Sequence, residues 1–167
     1  MNKNIKSVIV LSAICLVVTA LLATVNYITA PVIEKNALLK EQESLRIVLP
    51  EAEEFEEISL SEKPETVTGI YREINDKGYV ITLETVSSYS QNPMTFTLGI
   101  TLDGKISGVE ITNYSETKNF GDYPEGFVGK DSALEGVDVA AGVTYSSEAF
   151  KGAVKDAFSV FEEVSAK

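Results

Sequence analysis

The chain has 167 residues, with 25 acidic against 14 basic side chains and a formal net charge of −11. That balance argues against nucleic-acid binding, which needs a basic footprint on the protein. Histidine and tryptophan are absent and Cys15 is the one cysteine. The chain therefore cannot build a Ser-His-Asp triad, a His-ligated zinc or haem site, an intrachain disulfide or an iron–sulfur cluster from its own side chains. Redox chemistry would have to come from a bound cofactor.

Residues 7–29, SVIVLSAICLVVTALLATVNYIT, carry no charge. At a rise of ~1.5 Å per residue such a run spans about 35 Å as a helix, enough for a hydrocarbon core of about 30 Å. It exceeds the ~7–15-residue apolar core of a signal peptide, and no A-x-A cleavage site follows it. Cys15 lies deep in the run behind Ile14, a poor context for lipoprotein processing. The sequence thus predicts an uncleaved single-pass anchor over residues 1–30. Lys3 and Lys6 on the short flank, against Lys35 and Lys40 beyond, favour a cytoplasmic N-terminus and an extracytoplasmic domain.

Pro31 suits a first helical turn and Pro50 ends a helix. A second, membrane-proximal helix is therefore expected over 31–49, with Ile33, Leu38, Leu39, Leu45, Val48 and Leu49 packed on the domain. Glu51, Glu53, Glu54, Glu56 and Glu57 read as a solvated loop that completes a connecting segment, 31–64.

Alternating segments at 66–74, 79–86, 95–102 and 105–111 read as strands. Phe96, Leu98 and Ile100 share one face, whereas Ile106, Val109 and Ile111 break the alternation, so a bulge is expected at Gly108. Asp103-Gly104 between the last two runs is a strong hairpin signal. Phe150, Val154, Ala157, Phe158, Phe161 and Val164 recur at helical spacing, opposite Lys151, Lys155, Glu162 and Glu163. Ser146 or Ser147 serves as the expected N-cap of that helix, with Glu148 in its first turn. Thr144 then stands just before a helix N-terminus, behind the backbone freedom of Gly142, where unpaired N–H groups and the helix dipole favour a phosphate. The fold class is α+β: an N-terminal transmembrane helix, then a domain over 65–167 with an antiparallel or mixed sheet and flanking helices. Neither a repeat, a βαβ unit nor a Gly-x-Gly-x-x-Gly element is present in the sequence.

The stretch Asp138-Val-Ala-Ala-Gly-Val-Thr144-Tyr-Ser resembles the flavin-attachment motif of FMN-binding domains. That family includes RnfG, a component of the Rnf electron-transport complex, and a related component of the sodium-pumping NADH:quinone reductase. Asp138, Gly142 and Thr144 match, while Ala141, Val143 and Ser146 replace the usual Ser/Thr, Ala and second Thr. Upstream, GYVITLETV and FTLGITLDGKISGVEITNYSET are similar to the RnfG order of strand, loop, hairpin and Ser-Glu-Thr loop. Ser115, Glu116, Thr117 and Gly121 match that loop, with Lys118, Asn119 and Phe120 in place of Pro-Gly-Leu. Tyr89 stands where the family has a Gly-Tyr-x-Gly loop.

The resemblance implies that Thr144 carries FMN through a phosphoester, with Gly142, Val143, Tyr145, Ser146 and Ser147 around the phosphate. Glu116 and Thr117 would hydrogen-bond the ring or ribityl chain. Tyr89, with Tyr114, Phe120 and Tyr123, would flank the ring. It further implies an electron-relay component of an ion-translocating ferredoxin:NAD oxidoreductase, not an independent catalyst and with no metal ligands of its own. Its partners would be other membrane and redox subunits, the membrane, and a flavin transferase during maturation. The alternatives are a membrane-anchored scaffold that has lost its flavin, or a related flavin domain serving extracellular reduction.

Overall fold

Alternating apolar residues build the sheet that positions everything else. In the computed structural model, which describes residues 3–90, 92–115 and 118–166 and leaves aside the side chains of 3–8, 28 and 31–42, five antiparallel strands follow one another as neighbours. They are β1 (Phe55–Glu57), β2 (Val67–Glu73), β3 (Gly78–Val86), β4 (Pro93–Thr101) and β5 (Ile106–Asn113). Helix α1 (Lys3–Val48) precedes them, and a 3-10 turn (Pro124–Phe127) and helix α2 (Thr144–Ser165) follow. The architecture is α+β with an antiparallel sheet. The chain forms two compact units, Met1–Glu41 and Gln42–Lys167, and the sheet belongs wholly to the second.

In the first unit, Ile9–Tyr27 is long and apolar enough to cross a membrane, and none of it is buried. α1 runs through Pro31 without ending, where a fresh helix start was expected. Proline deletes one ladder bond and crowds the preceding turn, but the helical backbone continues on both sides of it. The expected packing of Ile33, Leu38 and Leu39 falls on side chains outside the described ones.

The second unit has an apolar layer on each sheet face. Tyr79, Ile81 and Leu83 of β3 and Phe96, Leu98 and Ile100 of β4 meet Phe150, Val154, Ala157 and Phe158 of α2, all buried. That is period 2 meeting period 3.6, as the sequence patterns require. On the opposite face, Leu45, Val48 and Leu49 from the end of α1 join Ala52, Phe55 and Val80 in a smaller cluster. The backbone of α1 can come this close because Gly99 and Gly108, paired across β4 and β5, form a notch under Val48. A Cβ on Gly99 would lie 2.3 Å from Val48 O, and one on Gly108 would lie 2.9 Å from Val48 Cα. Of the two register shifts between β4 and β5, one falls at Ser107, beside the expected Gly108, because the ladder passes from Ile106 to Gly108 opposite consecutive β4 residues. The extra residue turns its hydroxyl to donate to Val48 O at 2.6 Å, satisfying a terminal carbonyl of α1.

Two further corrections concern short elements. The acidic run contains β1, which pairs with β2 through Phe55 to Glu57 while Glu56 and Glu57 stay exposed. Charged side chains on an edge strand discourage further pairing. The β4–β5 connection is a three-residue loop closed by Gly104 N–H to Thr101 O (2.9 Å) and Thr101 N–H to Lys105 O (2.9 Å), with Gly104 at φ +74°. Beyond β5, Ile106 N–H bonds Lys130 O and Gly129 N–H bonds Ile106 O. The loop segment thereby covers part of the β5 edge and leads the chain back toward α2.

Candidate functional site

α2 begins at Thr144, two residues before the expected serine cap. Its N-cap is Val143, whose side chain accepts no hydrogen bond. The first ladder bond is Ser147 N–H to Val143 O at 2.9 Å. No acceptor from the cap therefore competes for the N–H groups of the opening turn, which face the end of the helix by geometry. Ser147 is fully buried and serves the loop instead. Its hydroxyl donates to Thr144 O at 2.9 Å and accepts the Ala140 N–H at 3.1 Å. Glu148 consequently lies outside the first turn, which holds no acidic residue.

Ahead of the helix, Gly142 adopts φ +86°, a backbone conformation that a side chain would strain. The loop that carries it and the start of α2 are each held once more. Lys151 Nζ donates to Val137 O, and Tyr123 donates its hydroxyl to Ser147 O at 3.4 Å. Burial pushes the Tyr123 phenol above its ordinary pKa; the bond to Ser147 pulls it down, and the charge of Asp138 adds to the rise. Tyr123 therefore stays neutral and keeps its proton to donate.

A cavity of about 310 Å³ opens at this helix end, lined by Gly142, Val143, Thr144, Tyr145 and Ser146, with Tyr89 and Lys118 from other loops. Thr144 is exposed, so its hydroxyl is accessible. Tyr89 is 72% exposed on a turn closed by Ser90 N–H to Ser87 Oγ, the latter residue being buried. Six sequence-predicted residues thus line the cavity: Tyr89, Gly142, Val143, Thr144, Tyr145 and Ser146. Ser147 lies beneath it. Glu116 and Thr117 fall outside the described residues.

Three of the candidate aromatics are engaged elsewhere. Phe120 is buried and stacks with Tyr123 and Tyr114, and Tyr123 meets Phe127 and Phe150 edge to face. They anchor the loop after β5 to the core.

Lys118 is the lining residue that the sequence did not single out. Its carbonyl accepts the Tyr114 hydroxyl at 2.6 Å, and a Cβ placed on Gly142 would lie 3.5 Å from its Nζ. The only signal available was a lone lysine between two aromatic anchors in a polar loop, and spacing alone cannot aim such a residue.

Comparison with known proteins bears directly on this arrangement. Residues 89–159, from Tyr89 into α2, match the model of an FMN-binding domain, and residues 1–48 match that of the RnfG N-terminal region. The chain is 31% identical over 155 residues to the subunit designated G of the Na(+)-translocating ferredoxin:NAD(+) oxidoreductase complex of Acetobacterium woodii, covering 81% of this chain and 74% of that one. The chain belongs to the RnfG family. The RnfG N-terminal match ends at Val48, the residue seated in the glycine notch, so it takes in α1 and ends ahead of β1.

The residues present fit an FMN phosphate end. The cavity offers a cation, a helix N-terminus with no side-chain cap, the exposed hydroxyl of Thr144, and a glycine that keeps side-chain bulk away. Two exposed tyrosines at its rim offer faces to a planar ring.

Proposed function

We propose that the chain is a membrane-anchored FMN subunit that relays electrons within an Rnf-type complex, its FMN joined to Thr144 through a phosphoester. What carries the reading is one juxtaposition. The FMN-binding match begins at Tyr89, and Tyr89 lines the same cavity as 142–146 beside an uncapped helix N-terminus. When bound, FMN supplies the electron-transfer chemistry that the chain's own side chains lack.

The residues around it hold and shield. N–H groups at the start of α2 orient the phosphate, a dipole contribution of about 0.3–1 kcal/mol. Gly142 leaves room beside the ester, and Tyr89 and Tyr145 give the ring its surfaces. The apolar run Ile9–Tyr27 holds the chain in the membrane, and the lysines before it favour an extracytoplasmic domain. Such a domain could not readily replace a dissociated cofactor, which gives the covalent bond its purpose. Partners follow from the same reading: other Rnf-type membrane and redox subunits, and a flavin transferase that forms the bond.

Co-expression with a flavin transferase tests it. Peptide mass spectrometry should find FMN less one water on the fragment holding Thr144, since the Thr144 oxygen replaces a phosphate hydroxyl and loses its own proton. Thr144→Val should abolish the adduct and Ser146→Ala should retain it. An unmodified Thr144 beside a competent transferase would reject the assignment and leave a membrane-anchored scaffold.

A further inference from the structure

We infer that Lys118 is a phosphate-binding residue of this site, its ammonium pairing with the flavin phosphate at the N-terminus of α2. The inference rests on the FMN reading of the cavity and adds a residue to it.

Three observations converge. First, Lys118 is held in place from both sides. The Tyr114 hydroxyl bonds its carbonyl at 2.6 Å, and two residues later Phe120 is buried against Tyr114, Tyr123 and Phe150. The Gly121 N–H bonds Asn119 Oδ1 at 3.3 Å and tightens the turn between them. Second, the side chain reaches across to the α2 loop, its Nζ being 3.5 Å from the Cβ position of Gly142. Gly142 at φ +86° thus faces the ammonium with no side chain of its own. Third, the placement is electrostatically unfavourable unless an anion shares it. A helix N-terminus carries a partial positive charge, so cations are disfavoured there and anions favoured. A lysine aimed at that end, in a chain of net charge −11 with many carboxylates elsewhere, is explained by an anion between the two. Among the described residues the two ion pairs are Arg72–Asp76 and Lys105–Asp103, and neither involves Lys118.

A phosphate in the cavity resolves the conflict, accepting from the ammonium on one side and from the opening turn on the other. The ammonium gains most from a free phosphate monoester, which carries more negative charge than the phosphodiester. Lys118 is exposed, so solvent screens the pair and the effect is moderate.

The test uses the full chain in detergent, expressed without a transferase, and titrates FMN and riboflavin by quenching of flavin fluorescence. The wild type should prefer FMN over riboflavin, and more so at low salt. Lys118→Gln should weaken FMN about two- to fivefold while leaving riboflavin unchanged, and Lys118→Arg should restore most of the preference. Equal FMN binding by wild type and Lys118→Gln, with FMN still preferred over riboflavin, would overturn the role of Lys118 and leave the site reading intact. If neither flavin binds and Thr144 also stays unmodified beside a transferase, both fall.

Where free flavin binds too weakly to titrate, the loaded protein gives a second readout. The ³¹P resonance of the phosphodiester should shift in Lys118→Gln relative to wild type and Lys118→Arg. Coincident resonances would overturn the inference.

Discussion

Ser147→Ala tests how the site is built. The hydroxyl accepts the Ala140 N–H at 3.1 Å and donates to Thr144 O at 2.9 Å, in a residue with no solvent exposure. Removing it leaves the Ala140 N–H without its acceptor. A buried donor so orphaned costs about 1–3 kcal/mol, and Ala140 is half-buried, which places the cost near the lower end. Alanine returns up to about 0.5 kcal/mol through its better helix propensity. The net loss is about 1 kcal/mol, or about 2–4 °C in melting temperature for a chain of this size. The sharper readout is local. Amide exchange at Ala140 should quicken about fivefold or more, because its hydrogen bond holds the loop that presents Gly142 to the helix end. Flavin loading at Thr144 should slow in parallel. Unchanged exchange at Ala140 would show that the loop is held by other contacts and would refute the argument.

Gly99→Ala places a methyl 2.3 Å from Val48 O and 2.4 Å from Ser107 Oγ, so urea unfolding in detergent should show a loss of about 1–3 kcal/mol; a neutral result would mean the end of α1 does not need the notch. Burial pushes the Glu73 carboxyl up, but the N–H groups of Lys77, Asn75 and Glu53 and the Asn75 side-chain amide outweigh it, holding its pKa below the ordinary 4.5. A depressed folded pKa stabilises above the unfolded value and loses that stabilisation as pH falls through the folded value. The stability gap between wild type and Glu73→Gln should therefore narrow below about pH 4.5, and a gap independent of pH would refute the assignment. The flavin-loaded protein should oxidise NADH only slowly without its partners, since the sequence has no Gly-x-Gly-x-x-Gly element; rapid, saturable oxidation would make it a dehydrogenase in its own right.

What the sequence made legible followed from local period. β2 to β5 and the buried face of α2 were readable because side-chain alternation or helical recurrence is intrinsic to each segment. The Asp103-Gly104 turn was readable from glycine's tolerance of φ +74°. The errors arose where a distant partner decides the outcome. β1 exists because its three residues find the free edge of β2, and a Glu-rich stretch gives no sign of that. Ser146 and Ser147 looked like caps because serine caps helices in general, yet Ser147 points back to Ala140 and the helix starts earlier. The bulge fell at Ser107 because Val48 O, far away in sequence, offered its hydroxyl an acceptor. Lys118 escaped for the same reason: its neighbour across the cavity is 24 positions away by number, and only folding brings it to Gly142.

The cavity's size bears on why a covalent bond suits this site. At about 310 Å³ it sits at the small end of ligand pockets, which run from about 300 to 1,000 Å³. Its rim rings, Tyr89 and Tyr145, are 72% and 57% exposed. Such a place can enclose a phosphate and the start of a polyol chain, but a fused aromatic ring system must lie mostly outside it. Stacking on exposed rings contributes about 0.5–1.5 kcal/mol, the helix end about 0.3–1 kcal/mol, and a screened lysine up to about 1 kcal/mol. Even unopposed by the cost of immobilising the ligand, these reach at most about 3.5 kcal/mol, a millimolar or weaker affinity. A cofactor held that loosely would be lost between turnovers, whereas the proposed ester at Thr144 would hold it without burying the ring. The exposure that weakens binding is also what an electron relay needs, because a redox partner can approach a ring edge that its own protein leaves uncovered.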